Sequence, residues 1–102
     1  MPTLPAQPPL DAKGRPYFLW SEDMDETRFR DILAGLEGPE QQALYTARLL
    51  REARVAEVWH YLSPQDVADR WPAAQKHLGR MTEFWRSLLE SWNEASRVSW
   101  KP

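Results

Sequence analysis

The 102-residue chain contains no cysteine, so disulfides, zinc fingers and thiol catalysis are excluded. It also lacks long apolar runs: the longest, Tyr17 to Trp20, is far shorter than the ~20 residues that a membrane span requires. A signal peptide would need a basic stretch followed by an apolar segment of roughly 7 to 15 residues, and prolines stand there instead. We therefore expect a soluble, cytoplasmic protein with no membrane contact.

A basic excess is missing as well, because the formal net charge is −2 at pH 7. Proteins that bind nucleic acid by neutralising phosphates usually carry an excess of lysine and arginine. We therefore do not expect nucleic acid to be the main partner.

Histidine is scarce, with two residues in the chain. His60 ends the segment Glu57-Val58-Trp59-His60, which has the Glu-x-x-His spacing of di-iron helical bundles. Such sites need this unit twice, and the other histidine, His77, has Ala74 three positions before it. We interpret His60 as a surface histidine and expect no metal and no cofactor.

Two further features are typical of catalytic sites but have a structural explanation here. Asp23 and Asp25 have the spacing of paired magnesium-binding carboxylates, yet they precede a helix, where acids cap the end and favour the dipole. Ser63 precedes Pro64 and is interpreted as a helix cap rather than a nucleophile. We therefore predict no catalytic residues and no enzymatic activity.

Prolines are concentrated near the N-terminus, where residues 1 to 16 hold five of the nine. A segment with so few apolar groups cannot offset the entropy of its own ordering, so we predict an extended arm, either flexible or held by a partner. Within it, Pro5-Ala6-Gln7-Pro8 matches the minimal proline-rich ligand pattern, as any proline-rich tail would. Tyr17-Phe18-Leu19-Trp20 follows, and we predict that this plug segment is extended and packs against a helical body.

The first predicted helix begins near Asp23, because Glu26 three residues later completes a capping box. It ends between residues 35 and 38, where two glycines stand. The spacing of its apolar residues predicts one buried stripe. That stripe comprises Phe29, Ile32, Leu33 and Leu36.

The second predicted helix begins at Pro39, because proline is pre-set for the first helical position, and runs to about Ala53. Its spacing places Arg48 and Arg51 on the outer face. The inner face is formed by Ala43, Ala47, Leu50 and Ala53.

Three shorter patterns complete the chain. Residues 55 to 62 predict a third helix with Val55, Val58, Trp59 and Leu62 on one face. Residues 64 to 71 predict a fourth helix that stops before Pro72, followed by a turn or an irregular helical piece over residues 72 to 80. The last helix has one apolar arc, made of Met81, Phe84, Trp85, Leu88, Leu89, Trp92 and Ala95.

These patterns predict an all-α fold: a small bundle of about five helices with HEAT-like antiparallel packing. Residues 17 to 102 form one helical domain, preceded by the proline-rich arm of residues 1 to 16. Short connections between the helices favour antiparallel neighbours. No strand pattern is present.

Aromatic residues are abundant, with six tryptophans, three tyrosines and three phenylalanines. Each ring would bury roughly 150 to 250 Å², more than a domain of this size can accommodate for all of them, so some should stay exposed. The rings placed on apolar stripes, and so expected in the core, are Trp59, Trp71, Trp85 and Trp92. The rings expected on the surface are Tyr17, Phe18, Trp20, Tyr61 and Trp100.

Exposed aromatics beside arginines are typical of a protein-binding surface. The candidate interface therefore adds the arginines of residues 48 to 54 to these rings, although docking of the rings within the chain remains an equal alternative. It comprises Tyr17, Phe18, Trp20, Arg48, Arg51, Arg54, Tyr61 and Trp100. The partner is then another protein, or a second copy of this chain.

A basic patch supports an alternative function as a nucleic-acid-binding regulator. Residues 41 to 80 hold six basic against four acidic residues. The acids Glu52 and Glu57 stand among the arginines, which favours an ordinary solvated face. The basic residues are Arg48, Arg51, Arg54, Arg70, Lys76 and Arg80.

Several short motifs carry a family resemblance across about residues 15 to 92. They are Tyr17-Phe18-Leu19-Trp20, the later Ile32-Leu33-Ala34-Gly35, and Val58-Trp59-His60-Tyr61-Leu62 after an Ala47-Arg48 segment. The chain resembles small bacterial all-helical proteins with a YFLW, ILxG and DVWxYL pattern, often encoded beside nucleotidyltransferase-type toxins. The resemblance implies an antitoxin-like or accessory subunit whose partner is such a toxin. This chain departs from the pattern in its longer arm and in Ser21-Glu22 before Asp23.

Overall fold

The computed structural model describes residues 8 to 19 and 22 to 100. Within these ranges the chain forms five α-helices and no strand, which confirms the predicted all-α bundle. The helices are α1 (Glu26–Leu33), α2 (Pro39–Glu52), α3 (Val55–Val58), α4 (Pro64–Ala74) and α5 (Thr82–Glu94). Short 3-10 turns lie at Tyr17–Leu19, Gln75–His77 and Gly79–Met81. No helix in the described part of the chain is long and apolar enough to cross a membrane.

Helix α1 starts later than predicted. Its N-cap is Asp25, whose extended backbone lets a side-chain oxygen accept from the Arg28 amide at 2.9 Å, so the prediction of Asp23 as cap was wrong. The helix ends at Leu33, and Leu36 therefore lies in the following turn with 72% of its surface exposed. Leu36 is thus a surface residue and not part of the buried stripe.

Helix α2 is the centre of the bundle and contacts α1, α3, α4 and the 3-10 turn at Tyr17–Leu19. Its predicted start at Pro39 is confirmed, after Gly38 with a left-handed φ of 99° that favours glycine. The side chains that it buries are Ala43, Thr46, Ala47, Leu49 and Leu50. Arg48 and Arg51, predicted to face outward, are half-buried.

Helix α3 is a single turn, not the eight-residue helix predicted over residues 55 to 62. Val55 is exposed and Glu57 is buried, with 4% of its surface exposed. Val58 and Leu62 are buried as predicted and Trp59 is half-buried, so Val55 is the one residue of the predicted face that is exposed. Glu57 is buried because its carboxylate accepts hydrogen bonds from the Tyr17 hydroxyl and the Arg54 amide, as described below.

Helix α4 begins as predicted, with Ser63 and Asp66 forming a reciprocal capping box. It does not stop at Trp71: it continues to Ala74 with Pro72 inside it. The extra turn buries Ala74 beside Trp71, which offsets the hydrogen bond that proline cannot donate.

Helix α5 closes the core with Trp85, which is fully buried and donates from its indole Nε1 to the Leu50 carbonyl of α2 at 2.8 Å. Trp71 is also buried, as predicted. Trp59 and Trp92 were predicted to be core residues but are only half-buried. Phe84 on the same helix is 43% exposed.

The described part of the predicted arm, residues 8 to 16, packs against the helical body instead of extending from it. Pro8 and Pro16 are buried, and the Glu26 amide at the start of α1 donates to the Gly14 carbonyl at 2.9 Å. Residues 1 to 7 of the arm lie outside the described residues. The plug segment is a 3-10 turn where it is described, because the Leu19 amide donates to the Pro16 carbonyl, and not the extended piece predicted.

Candidate functional site

The predicted interface residue Phe18 is an internal residue, with 2% of its surface exposed. Its ring makes edge contacts with Tyr17, Phe29 and Tyr61 at centroid distances of 5.5, 5.3 and 6.2 Å. Arg48 Nε donates to the Phe18 carbonyl at 3.2 Å. Arg48 of the predicted arginine face therefore holds the described part of the plug segment in place, and Phe18 is unavailable to a partner.

Tyr17 is 38% exposed, as predicted, but its hydroxyl is engaged. It donates to Glu57 Oε1 at 2.5 Å and accepts from the Arg54 amide at 3.1 Å. The same carboxylate oxygen accepts from the Arg54 amide at 3.2 Å. Burial and the hydrogen bond to Glu57 raise the pKa of Tyr17 above its ordinary value. The Arg54 side chain itself remains on the exposed surface.

A second tyrosine–glutamate pair lies at Tyr45, whose hydroxyl donates to Glu22 Oε2 at 2.6 Å. Arg48 Nη1 donates to the other carboxylate oxygen of Glu22 at 3.2 Å. Burial, and then the hydrogen bond to the carboxylate, raise the pKa of Tyr45 to about 12. Arg48 thus binds both the plug segment and this carboxylate.

The third pair involves the predicted interface residue Tyr61, whose hydroxyl donates to Glu26 Oε2 at 2.8 Å. Arg30 lies over the Tyr61 ring, 4.7 Å from its centroid, and contacts His60 Nε2 at 2.8 Å. Burial, followed by the hydrogen bond to Glu26, raises the pKa of Tyr61 well above its usual range. Tyr61 is half-buried, so it offers less surface than predicted.

The remaining predicted interface residues lie elsewhere or outside the described chain. Arg51 Nη1 donates to the His77 carbonyl at 2.8 Å, which ties α2 to the Gln75–His77 turn. Trp100 is buried against Trp71, with ring centroids 6.1 Å apart, so its predicted exposure was wrong. Trp20 lies outside the described residues. The structure thus places Tyr17, Phe18, Arg48, Arg54 and Tyr61 near one another. Their contacts are mainly with residues of this chain, and they do not form an open surface for a partner.

The carboxylates and histidines do not converge on one point. No group of three or more histidine, aspartate or glutamate side chains that could hold a metal ion is found in residues 8 to 19 and 22 to 100. Asp25 caps α1, and Glu57 and His60 have the partners given above.

A surface that the sequence did not single out remains open: a groove of about 260 Å³ lined by Trp59, Pro64, Trp92 and Arg97. The two indole rings meet edge to face, with centroids 5.5 Å apart and planes at 65°. Trp59 also contacts the buried Trp85 at 5.9 Å, so the core supports the groove from beneath. We call this the aromatic groove.

The side chains that line the aromatic groove have hydrogen-bond donors that are accessible to solvent and not used within the described part of the chain. In the described part of the chain, the indole N–H groups of Trp59 and Trp92 and the guanidinium of Arg97 make no hydrogen bond or ion pair. On α5, Phe84 and Leu88 precede Trp92 at intervals of four residues and so lie on the same side of the helix. They extend the apolar surface along α5.

Sequence reasoning missed the aromatic groove because its two tryptophans fall on apolar stripes, the pattern of core residues. The stripe of α5 is wider than the surface that the small bundle can cover, so its outer edge stays accessible. A stripe of about 140° on the last helix was the available signal.

A second pocket of about 370 Å³ lies between the start of α2 and the end of α4. Its lining includes Pro39, Leu44, Ala73 and Lys76, and no aromatic ring other than His77. Because binding energy concentrates at tryptophan, tyrosine and arginine, the aromatic groove is the stronger candidate.

Comparison of the chain with protein-family models, curated proteins and solved structures found no match in any of the three. The resemblance to small bacterial proteins encoded beside toxins therefore stays a prediction based on the motifs quoted above.

Proposed function

We propose that this protein is a non-enzymatic protein-binding module and that the aromatic groove is its binding surface. The observation that carries the proposal is a groove with two half-buried indole rings and an arginine, all with donors unused in the described structure. Tryptophan and arginine are the residues most enriched at binding hot spots. Burying the exposed part of an indole against a partner stabilises the complex by about 25 cal/mol per Å² of apolar surface removed from water.

The core supports this surface, which favours binding without rearrangement. Trp59 packs on Trp85, and Trp85 is anchored by its hydrogen bond to α2. A pre-formed pocket avoids the entropic cost of ordering side chains when the partner binds.

The partner class follows from the resemblance and is part of the proposal. An antitoxin-like or accessory subunit would bind a nucleotidyltransferase-type toxin and hold it through the aromatic groove. A second copy of this chain is the other protein that could occupy the surface.

The test is co-purification of the tagged protein with the product of the neighbouring gene, followed by titration calorimetry of the purified pair. Two variants, called the groove variants, are used: Arg97→Glu reverses a charge in the groove that has no partner in the described structure, and Phe84→Ser removes an exposed ring from the apolar surface that continues the groove along α5. Their matched controls are Lys76→Glu, in the other pocket, and Leu36→Ser, in the turn after α1.

We expect the wild type and both controls to bind, and each groove variant to lose at least about tenfold in affinity, as for a residue at a binding hot spot. Equal affinity for all five proteins would contradict the groove as the interface. Absence of any complex with the neighbouring gene product would contradict the toxin-related assignment.

The alternative proposal, a nucleic-acid-binding regulator, uses the basic patch between Arg48 and Arg80. It is weaker because Arg48, Arg51 and Arg70 already donate to acceptors within the chain. Phosphate contacts are strongest at low salt, so a gel shift at low ionic strength decides it, and no shift there rules it out.

A further inference from the structure

We infer, on the basis of the proposed function, that the aromatic groove takes an extended, proline-containing peptide segment of the partner, with a carboxylate placed against Arg97. The inference comes from three properties of the groove: the hydrogen-bonding character of its lining, its shape and its charge.

The polar side-chain groups of the lining are all donors. The indole N–H groups of Trp59 and Trp92 and the guanidinium of Arg97 can donate, and Pro64 has no polar side-chain atom. The lining side chains offer no acceptor, so a bound N–H group would find no side-chain partner among them. A ligand that fits must present acceptors and few donors.

A proline-rich backbone has this composition. Its polyproline II conformation leaves the carbonyl oxygens without internal hydrogen bonds, and each proline removes one backbone N–H. A helical partner segment satisfies most of its backbone carbonyls internally, so it can meet these donors only with acceptors on its side chains. The donor-only lining therefore favours an extended proline-containing segment over a helix.

The shape of the groove agrees with this ligand. The indole rings of Trp59 and Trp92, in edge contact with planes at 65°, and the ring of Pro64 line the groove, and aromatic-lined grooves are the usual docking surface for such segments. From Phe84 to Trp92, α5 presents a ridge of about 12 Å at 1.5 Å per residue. At about 3.1 Å per residue, four residues of a polyproline II helix span that length.

The positive charge of Arg97 in the groove indicates that the bound peptide carries a carboxylate. Arg97 is exposed and has no ion pair in the described ranges, although Glu94 stands three residues before it. Its guanidinium can bind a carboxylate through two parallel hydrogen bonds. A glutamate or aspartate flanking the prolines supplies that carboxylate.

The chain has its own proline-rich segment, and a second copy could offer it. Against this occupant, Pro8 is fully buried and residues 10 to 16 are bonded into the fold, so this described part of the segment would have to leave its packing. A segment of a different protein meets no such cost.

The test is nuclear magnetic resonance of the full chain, observing the indole N–H signals of Trp59 and Trp92, assigned by Trp→Phe substitutions. The probe is a synthetic acetylated and amidated peptide, Pro-Pro-Ala-Pro-Pro-Ala-Glu-Glu. One control peptide has alanine in place of every proline, and a second has glutamine in place of both glutamates.

We expect the probe to shift both indole signals in a saturable way. Both control peptides should bind at least about tenfold more weakly, since each loses acceptor geometry or a charge-assisted hydrogen bond. Arg97→Gln should abolish the difference between the glutamate and glutamine peptides, and Lys76→Gln should leave it intact.

Failure to shift either indole signal, or equal shifts with the alanine peptide, would overturn the inference. If the partner still requires Arg97 and Phe84, the proposed binding function stands while the peptide class is wrong; if it binds all variants equally, both fail. Indole signals that change on dilution of the free chain, and stop changing when residues 1 to 16 are deleted, would overturn the partner segment in favour of a second copy.

Discussion

At the scale of single residues, the hydroxyl groups of all three tyrosines donate hydrogen bonds to glutamates. The pair formed by Glu57 matters most, because burying a carboxylate without hydrogen bonds would destabilise the folded state by roughly several kcal/mol. Its Oε1 accepts from the Tyr17 hydroxyl and the Arg54 amide, which satisfies it where it lies. Tyr17 and Tyr61, which were predicted to be available to a partner, are thus held in the fold by hydrogen bonds from their hydroxyl groups.

The tyrosine pairs predict that the protein loses stability at alkaline pH. Tyr45, with a pKa of about 12, and Tyr61, with a pKa raised further, keep their protons in the folded state above pH 10, where tyrosines of the unfolded chain ionise. The folded state then binds more protons, so the free energy of unfolding falls as pH rises. This contribution is fully present below about pH 10 and is lost between there and about pH 12.

Urea unfolding at a series of pH values between about 8 and 12 checks this prediction. The control is Tyr45→Phe, which keeps the ring and removes the titrating hydroxyl, so its stability should fall less steeply above pH 10. Parallel curves for the wild type and this variant would contradict a protected Tyr45 hydroxyl.

For single residues, the sequence predicted only in part which aromatic side chains are buried, because burial depends on tertiary contacts. Phe18 and Trp100 were predicted to be exposed because their segments lack helical periodicity, and only tertiary contacts with Phe29 and Trp71 bury them. Trp59 and Trp92 were predicted to be buried because periodicity gives the side of a helix, not how far its neighbours cover it. The candidate site therefore moved from the plug segment to the aromatic groove.

At the scale of elements, local chemistry predicted the helix starts where a proline follows a cap, at Pro39 and Pro64. It failed at Pro72, where α4 continues for two more residues. The rule that the residue before proline avoids helical geometry is a preference, and burial of Trp71 and Ala74 outweighs it here.

Pro72→Ala should therefore stabilise the protein. Alanine restores a backbone N–H inside α4 and has a far better helix propensity, whereas proline contributes only by restricting the unfolded chain. Pro72 is exposed, so little packing is lost. We expect a gain of about 1 to 2 kcal/mol in the free energy of unfolding by urea.

The matched control is Pro64→Ala at the first position of the same helix, where proline removes no helical hydrogen bond. This substitution should be neutral or slightly destabilising. A loss of stability in Pro72→Ala, or equal gains in both variants, would mean that α4 does not run through Pro72 in solution.

At the scale of the whole molecule, the boundary between arm and domain is placed differently from the sequence prediction. Low apolar content predicted that the helical domain begins at residue 17. In the structure, residues 8 to 16 cover the start of α1, with the Asp11 carboxylate accepting from the Lys13 and Arg15 amides. The local hydrogen bonds of this turn lower the entropic cost of ordering, which composition alone does not reveal.

Deleting residues 1 to 16 should consequently destabilise the helical body. The truncated chain loses the burial of Pro8 and Pro16 and leaves the Glu26 amide without the Gly14 carbonyl. We expect a loss of about 2 to 4 kcal/mol, which lowers Tm by roughly 10 °C or more in thermal unfolding followed by circular dichroism.

A point variant in the full chain distinguishes the loss of contacts with α1 from the effect of shortening the chain. Gly14 has a left-handed φ of 75°, and a Cβ there would lie 3.9 Å from Asp25 Cβ, so Gly14→Ala meets no clash but carries backbone strain of about 1 to 2 kcal/mol. If residues 8 to 16 are bonded to α1 in solution, the full chain with Gly14→Ala must also melt at a lower temperature. An unchanged Tm in both the truncated chain and this variant would mean that the helical domain begins at residue 17. Residues 1 to 16 would then be a free arm, which a second copy of the chain needs to reach the aromatic groove.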